Sequence, residues 1–338
     1  MEATNSQTIT RQDFVSDQDV RWCPGCGDYA ILSVVQKLFP TLGIPKENFL
    51  IVSGIGCSSR FPYYMDTYGF HTIHGRAPAL ATGAILANPD LSVWVITGDG
   101  DSMSIGGNHF IHVVRRNIDM NILMFNNQIY GLTKGQYSPT SELGKVTKST
   151  PMGSLDHPFN PPQLALGASG TFIARTIDRE QKHMSIILEE ANNHKGTSFV
   201  EIYQNCNIFN DGAFSELTEK GTKAETQLVL EQGKPMIFGA ENDKGLVLEG
   251  SNFKIVKLGK NYSADDILKH DKEDKNLAML LSEITYNPDL PVPLGILYQE
   301  SKPTYDDMMT SQIQEAIKSK GPGDLEKLFF GTSSWIVD

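Results

Sequence analysis

Short runs of apolar residues recur through the first two thirds of the chain and predict the strands of a sheet. Apart from Asn121 and Glu201, the residues of these runs are apolar and consecutive, whereas a strand with one face in water alternates apolar and polar residues. Strands that are buried on both faces show this continuous pattern. We therefore predict an α/β fold, with a parallel sheet that is covered by helices on both faces. The five predicted strands are residues 49–52, 93–96, 121–125, 172–174 and 199–203.

Helices are predicted between these strands by a different spacing. Apolar residues within 110–114 recur at i, i+3 and i+4, which is the spacing of one face of a helix. Ser102 is a candidate cap near the start of this helix, and Arg115 and Arg116 suit its C-terminal end. Residues 181–193 predict a further helix between strands. Open α/β sheets bind ligands at the carboxyl ends of their strands, so a binding site is expected there.

The pattern changes at about residue 225. Charged and polar clusters dominate there, including residues 260–275, and the prolines of 291–293 interrupt any long element. We therefore predict two units, a domain of residues 1–223 and a C-terminal appendage of residues 224–338 that wraps around a partner chain.

The charge of the chain excludes some classes of partner. Forty acidic residues against 29 basic ones give a net charge of -11. Nucleic-acid binding needs a basic surface, and an anionic membrane surface attracts basic segments, so neither partner is expected. No segment approaches the ~18 consecutive apolar residues of a membrane span. Residues 1–18 show no signal-peptide pattern, and a cytoplasmic location is expected.

Two predicted strands end in residues that suit a metal and a diphosphate. Gly98, Asp99, Gly100 and Asp101 follow one strand, and Asn127 follows the next. A carboxylate, a side-chain amide and a main-chain carbonyl form the oxygen set that Mg²⁺ prefers, with diphosphate oxygens as further ligands. The glycines allow the main chain to approach the diphosphate. An ordinary tight turn is the alternative, but the strand, helix and strand around this motif favour a cofactor.

The chain has four cysteines, Cys23, Cys26, Cys57 and Cys206. One close pair with two remote cysteines is compatible with a cubane iron–sulfur cluster, which takes four thiolates. A structural zinc site usually has two close pairs, and a redox C-x-x-C pair needs only two cysteines. Buried, unrelated cysteines are a third alternative. Because Cys57 and Cys206 follow predicted strands at the edge that carries Asp99, we favour a cluster near the cofactor.

Together these motifs resemble the β subunit of 2-oxoacid:ferredoxin oxidoreductases, most closely the 2-oxoglutarate type. The resemblance spans roughly residues 15–215, including a thiamine-diphosphate motif in which GDG is followed by NN. It implies a thiamine-diphosphate-binding fold that holds thiamine diphosphate, Mg²⁺ and one [4Fe–4S] cluster in residues 1–223. The matching segments are residues 22–27, 54–57, 98–101, 126–136, 137–140 and 201–211.

The resemblance also implies roles for individual residues. Asp99 and Asn127 would be side-chain ligands of Mg²⁺, with the carbonyl of Ile129 as a third ligand, and the four cysteines would bind the cluster. As catalytic candidates we name Arg60, which would pair with a substrate carboxylate, His74 in a neighbouring loop, and Leu132 as a lining of the substrate pocket. Further cofactor contacts are expected from Ile55, Gly56, Ser58, Gly98, Gly100, Asp101, Gly131, Leu132 and Thr133.

By the same resemblance, an α subunit completes the active site in an α2β2 complex. It would supply the glutamate that activates thiamine and much of the coenzyme A and substrate site. The implied reaction converts 2-oxoglutarate, coenzyme A and oxidised ferredoxin into succinyl-CoA, CO2 and reduced ferredoxin. The alternatives are a pyruvate-type enzyme, a non-redox thiamine decarboxylase or carboligase, and an electron-transfer module without thiamine. A non-redox enzyme would not need the four cysteines.

Overall fold

The five apolar runs of the sequence all form strands. The structure is a computed structural model that describes residues 9–337, so the first eight residues of the predicted domain 1–223 lie outside the described part. The strands are β1 (Phe49–Ser53), β2 (Tyr68–His71), β3 (Ser92–Gly98), β4 (Met120–Asn126), β5 (Phe172–Ile177), β6 (Thr197–Tyr203), β7 (Gln227–Val229), β8 (Ile237–Phe238), β9 (Lys244–Glu249), β10 (Asn252–Lys257) and β11 (Val292–Gln299).

Eight of these strands form the main sheet, in the order β2-β1-β3-β4-β6-β5-β11-β7. The six from β2 to β5 in this order are parallel, and β11 is antiparallel to β5. Strands β1, β4, β5 and β6 are buried at every position, which explains why their sequences do not alternate apolar and polar residues.

Helices cover both faces of the sheet, as predicted. One apolar core contains side chains of α2, α4, α5 and α9, and a second core contains side chains of α1 and α6. Within residues 9–337, no helix combines the length and the apolar character that a membrane span requires. The helices are α1 (Asp28–Leu38), α2 (Ala77–Ala87), α3 (Asp99–Met103), α4 (Gly107–Arg116), α5 (Pro161–Gly167), α6 (Gln181–Asn193), α7 (Ser215–Thr218), α8 (Lys223–Thr226), α9 (Lys275–Glu283), α10 (Tyr305–Lys320) and α11 (Leu325–Phe330).

The predicted helix cap at Ser102 is wrong. Ser102 lies inside the short helix α3, and α4 begins separately after an N-cap at Gly106. The C-cap residue of α3 is Ser104, whose φ of -94° and ψ of -111° lie outside the helical region, so the main chain turns before α4 begins. Arg115 and Arg116 occupy the last turn of α4 as expected.

Residues beyond 223 share the main sheet with the residues before it. Strands β7 and β11 complete the sheet, and β8, β9 and β10 form a small antiparallel sheet beside it. Pro293 is the second residue of β11, close to the strand start, where a missing N–H is tolerated. Between residues 224 and 299 the predicted appendage is therefore built onto the main sheet. Beyond it, the helices α10 and α11 are largely exposed.

Candidate functional site

The ends of β3 and β4 bring the predicted magnesium ligands to one edge of the sheet. Gly98 lies opposite Phe125 in the register of the two strands, so Asp99 and Asn127 follow adjacent strands. Both line one cavity, together with the other residues expected to contact a cofactor. Those residues are Ile55, Gly56, Ser58, Gly98, Gly100, Asp101, Ile129, Gly131, Leu132 and Thr133, and His74 lines the same cavity.

Asp99 is a buried carboxylate with few partners for its charge. Only 2% of the residue is exposed, and the Thr140 hydroxyl donates a hydrogen bond of 2.6 Å to its Oδ2 atom. Burial raises the pKa of Asp99 to about 6, although hydrogen bonds from Ser138 and Thr140 act in the opposite direction. A buried carboxylate in this state is stabilised by a nearby cation, because the opposite charge favours its ionised form. The donor set therefore fits a magnesium ion.

A chain of hydrogen bonds through Thr140 and Asn126 connects Asp99 to a buried ion pair on the neighbouring strands. The Thr140 hydroxyl also lies 2.9 Å from Oδ1 of Asn126, and the Asn126 amide donates to Glu201 at 2.8 Å. Arg175 Nε donates to the other oxygen of Glu201 at 2.6 Å, and both side chains are only 1% exposed. The guanidinium carbon of Arg175 lies 5.2 Å from the centre of the Tyr203 ring. These contacts connect β4, β5 and β6 beneath the cavity.

We expect Arg175→Met to destabilise the protein strongly. The substitution leaves the Glu201 carboxylate buried without its cation, and removing one partner of a buried ion pair costs about 3–5 kcal/mol. The midpoint of thermal unfolding should fall, measured on the protein with its partner subunit. The double variant Arg175→Met/Glu201→Gln is the control. It should recover part of the loss because no uncompensated charge stays buried. An Arg175→Met midpoint equal to that of the unaltered protein would contradict the expectation.

Asp101 connects the loops that surround the cavity. Its Oδ1 accepts hydrogen bonds from the main-chain N–H groups of Ile55 at 3.0 Å and Gly75 at 2.8 Å, and it contacts His74 Nδ1. Its Oδ2 accepts from the Thr97 hydroxyl at 2.8 Å. Because both oxygens already have protein partners, the observed contacts of Asp101 position the loops. A direct contact between Asp101 and the cofactor stays a prediction.

The cavity contains one carboxyl group that sequence reasoning missed. Asp28, the first residue of α1, is 1% exposed and lines the cavity. Neither of its side-chain oxygens has a hydrogen-bond partner among residues 9–337. Burial raises the pKa of Asp28 to about 7, the nearby thiol of Cys26 acts in the opposite direction, and the charge of Asp178 adds to the effect of burial. Buried polar atoms in proteins normally have partners. A polar ligand with hydrogen-bond donors, such as thiamine, therefore fits this cavity.

All four cysteines line a second cavity next to the first. Hydrogen bonds hold the three segments that carry them together. The Trp22 indole donates to the carbonyl of Cys57 at 2.7 Å, and the Asn207 amide donates to the carbonyl of Pro24 at 2.6 Å. The main-chain N–H of Gly27 donates to the carbonyl of Asn205 at 3.2 Å. The tertiary structure thus assembles cysteines that are far apart in sequence.

Three of the cysteines, Cys26, Cys57 and Cys206, are half-buried, and Cys23 is exposed. An added Cβ on Gly131 would lie 3.5 Å from the sulfur of Cys57 and 3.6 Å from that of Cys206, so these two sulfurs approach the same point. Burial raises the pKa of Cys57 to about 12, and the charges of Asp28, Cys206 and Cys23 add to this effect. Metal binding deprotonates such thiols.

The arrangement does not match a site for a single metal ion. In the part of the chain that the structure describes, no three His, Cys, Asp or Glu side chains are close enough to hold one ion. An iron–sulfur cluster is larger than an ion and spreads its four ligands further apart, so the four cysteines fit a cluster better.

Arg60 and Leu132 lie at the mouth of these cavities. Arg60 lines the cysteine cavity and an adjoining groove with Arg21 and His71, but it does not line the cofactor cavity. Its guanidinium donates to the carbonyl of Arg21 at 3.3 Å. Leu132 is 49% exposed and lines both cavities and the groove.

Comparison with known proteins identifies the family. Residues 54–202 match the family model described as thiamine pyrophosphate enzyme, C-terminal TPP binding domain. A 2-oxoglutarate oxidoreductase subunit KorB of Mycobacterium tuberculosis is 52% identical over 99% of this chain and 90% of its own length. The β subunit of 2-oxoacid:ferredoxin oxidoreductase 1 of Aeropyrum pernix is 37% identical over 86% of this chain and 81% of its own length. The chain belongs to the 2-oxoacid:ferredoxin oxidoreductase β subunits.

A solved structure supports the same family and fold. It is a 2-oxoglutarate:ferredoxin oxidoreductase from Magnetococcus marinus, determined with 2-oxoglutarate, coenzyme A and succinyl-CoA bound. The similarity has a TM-score of 0.76 at 33% identity and covers 98% of each chain. The predicted family, the α/β thiamine-binding fold and the class of oxidoreductase are therefore confirmed for this β subunit.

Proposed function

We propose that this β subunit binds thiamine diphosphate, Mg²⁺ and one [4Fe–4S] cluster and oxidises 2-oxoglutarate with coenzyme A, passing electrons to ferredoxin. The observation that carries the proposal is the contact between the two cavities. Cys57, Asn127, Gly131 and Leu132 line both of them. A cofactor in the first cavity and a cluster in the second would therefore be neighbours, which is the arrangement that electron transfer between them requires.

The residues of the first cavity would hold the cofactor through its metal. Asp99, Asn127 and the main-chain carbonyl of Ile129 would be the protein ligands of Mg²⁺, and the glycines of 98–100 allow the diphosphate to approach the main chain. When bound there, thiamine diphosphate would supply carbanion chemistry at the keto carbon of a 2-oxoacid, and a cluster held by the cysteines would supply one-electron acceptance. The four cysteines would bind that cluster.

Arg60 and His74 would act on the substrate side of the cofactor. The Arg60 guanidinium lies in the groove beside Leu132, where it can pair bidentately with a carboxylate of 2-oxoglutarate. His74 lines the cofactor cavity and contacts Asp101, which fixes the orientation of its ring. Leu132 would form the apolar wall of the substrate pocket between them.

The relatives support 2-oxoglutarate as the substrate. The M. tuberculosis relative is named a 2-oxoglutarate oxidoreductase subunit, and the M. marinus structure holds 2-oxoglutarate, coenzyme A and succinyl-CoA. An α subunit would complete the active site, as the name β subunit implies for the A. pernix relative. We propose an α2β2 complex that uses ferredoxin as its electron acceptor.

The end of the chain would contact this α subunit. Residues 325–337 expose large apolar side chains, among them Phe329 at 81% and Trp335 at 81%. Exposed apolar clusters are typical of protein interfaces. We expect Phe329→Asp to reduce the amount of α subunit that co-purifies with this chain. The matched control is Lys327→Asp, a charge change at an exposed polar position of the same helix. Equal recovery of the α subunit with both variants would exclude α11 from the interface.

The function is tested by anaerobic reduction of a viologen dye. The chain is co-expressed with its α subunit, and the complex is assayed with coenzyme A and either 2-oxoglutarate or pyruvate. We expect reduction that requires coenzyme A and is faster with 2-oxoglutarate. Faster reduction with pyruvate would change the substrate and keep the reaction class. No reduction by a complex that contains both thiamine and iron would contradict the proposal.

A further inference from the structure

One buried side chain bridges the two cavities. Gln204 follows the end of β6 and is 1% exposed. Its Oε1 accepts a hydrogen bond of 2.9 Å from the Asn127 amide, and its Nε2 donates to the sulfur of Cys26 at 3.2 Å. Asn127 is a proposed magnesium ligand and Cys26 a proposed cluster ligand. A single amide therefore contacts one ligand of each proposed site.

The orientation of this amide is determined by its surroundings. Nε2 also lies 2.6 Å from the main-chain carbonyl of Asn205, which can only accept a hydrogen bond. A flipped amide would place two oxygens against each other there, so the nitrogen must face Asn205 and Cys26. Both N–H groups and the carbonyl of Gln204 then have partners, and the side chain has one favourable position.

The neighbouring backbone holds Gln204 in this position. Its main-chain N–H donates to the carbonyl of Asn126 at 3.0 Å, and the N–H of Asn205 donates to the Asp178 carboxylate at 3.0 Å. Gly27 follows Cys26, and an added Cβ at Gly27 would lie 2.9 Å from the Gln204 Cγ. The glycine after the second cysteine of the pair thus gives this glutamine the space to reach the sulfur.

We infer that Gln204 is a positioning residue that couples the two sites. Its carbonyl accepts a hydrogen bond from the Asn127 amide nitrogen and so fixes which atom of Asn127 is the oxygen. That oxygen accepts from the main-chain N–H of Ile129 at 3.2 Å and keeps a second lone pair for Mg²⁺. Its amide nitrogen donates a hydrogen bond to a cluster thiolate, and such a bond raises the reduction potential of the cluster. This inference rests on the proposed function, because it needs both the metal and the cluster.

Gln204→Leu tests both contacts in one protein. In the complex with the α subunit, we expect the affinity for Mg²⁺ to fall about 10-fold in the presence of thiamine diphosphate, as is typical for residues that orient metal ligands. The cluster potential, from a redox titration followed by electron paramagnetic resonance, should become more negative. A shift of about 59 mV in this potential corresponds to a tenfold change in the one-electron reduction equilibrium of the cluster.

Two further variants make the result specific. Gln204→Glu keeps an oxygen that accepts a hydrogen bond from the Asn127 amide. The glutamate carboxyl group has at most one O–H, which would donate to the carbonyl of Asn205, so no donor is left for the Cys26 sulfur. We expect this variant to lower the cluster potential and to keep the affinity for Mg²⁺, and it can be measured if the leucine variant does not fold. The matched control is Gln36→Leu. Gln36 is also buried and donates to the carbonyl of Tyr64, but it lines neither cavity.

The outcomes separate this inference from the proposed function. Unchanged potential and unchanged Mg²⁺ affinity in both Gln204 variants would overturn the inference, as would equal changes in Gln36→Leu. If the unaltered complex binds no Mg²⁺ with thiamine diphosphate, or contains no cluster, the proposed function itself is wrong. A complex that binds both and shows no effect at Gln204 leaves that function intact.

Discussion

The Cys57→Ser variant, in complex with the α subunit, is expected to lose its iron–sulfur cluster and its reduction of ferredoxin while it keeps thiamine diphosphate. Iron in such clusters is held by thiolates, and serine supplies only a weakly acidic hydroxyl. Cys57 lines both cavities, but the proposed magnesium ligands are other residues, which follow β3 and β4. Iron content and thiamine content of the anaerobically purified complex measure the two sites separately.

The control for this variant is Ser59→Ala. Ser59 lies in the same loop, is fully buried, and its hydroxyl has no hydrogen-bond partner within the described residues. The alanine variant should keep iron, thiamine and activity. Full iron content in Cys57→Ser would show that this cysteine does not bind the cluster. Loss of both cofactors in Cys57→Ser would indicate a general folding defect.

Asp99→Asn should weaken the binding of Mg²⁺ and thiamine diphosphate and keep the iron–sulfur cluster. The substitution keeps the shape of the side chain but removes its charge, so a magnesium ion loses its only anionic ligand among the three proposed protein groups. We expect the affinity for Mg²⁺ and thiamine diphosphate to fall at least about 100-fold, beyond the usual effect of residues that only orient metal ligands. Iron content should remain unchanged. Calorimetric titration of the complex with thiamine diphosphate and Mg²⁺ measures the loss.

Asp90→Asn is the matched control for this second variant. Asp90 precedes β3, at the end of the strand opposite to the cofactor cavity, and it is exposed. It undergoes the same chemical change without contact to the proposed site. Thiamine binding by Asp99→Asn that equals that of Asp90→Asn would mean that Asp99 is not a metal ligand.

The sheet, and the position of the cofactor cavity at its edge, could be predicted because the sequence patterns that indicate them are local. Continuous apolar runs identify buried strands, and residues directly after parallel strands must lie at one edge of the sheet. Asp99 and Asn127 follow such strands, and the cavity contains both. The family motifs lie in the same loops, so the pattern and the resemblance indicated the same site.

Other features depend on contacts between distant segments and could not be predicted. The roles of Asp28 and Gln204 follow from how the cysteine loops pack on the end of β6, which no spacing in the sequence reveals. The strand β11 was missed because Pro291 precedes it and Pro293 is its second residue, and because it joins the sheet antiparallel to β5. The cap at Ser102 was wrong because the main chain leaves the helical conformation at Ser104 and so separates α3 from α4.

The most direct test of the central claim is the oxidation state of the cluster after substrate is added. The complex is mixed anaerobically with 2-oxoglutarate in the absence of an external acceptor, frozen, and examined by electron paramagnetic resonance. We expect the signal of a reduced cluster in the unaltered complex and no such signal in Asp99→Asn, which should keep its iron. A cluster that stays oxidised in an unaltered complex containing thiamine diphosphate, Mg²⁺ and iron would contradict the claim that the two cavities act together.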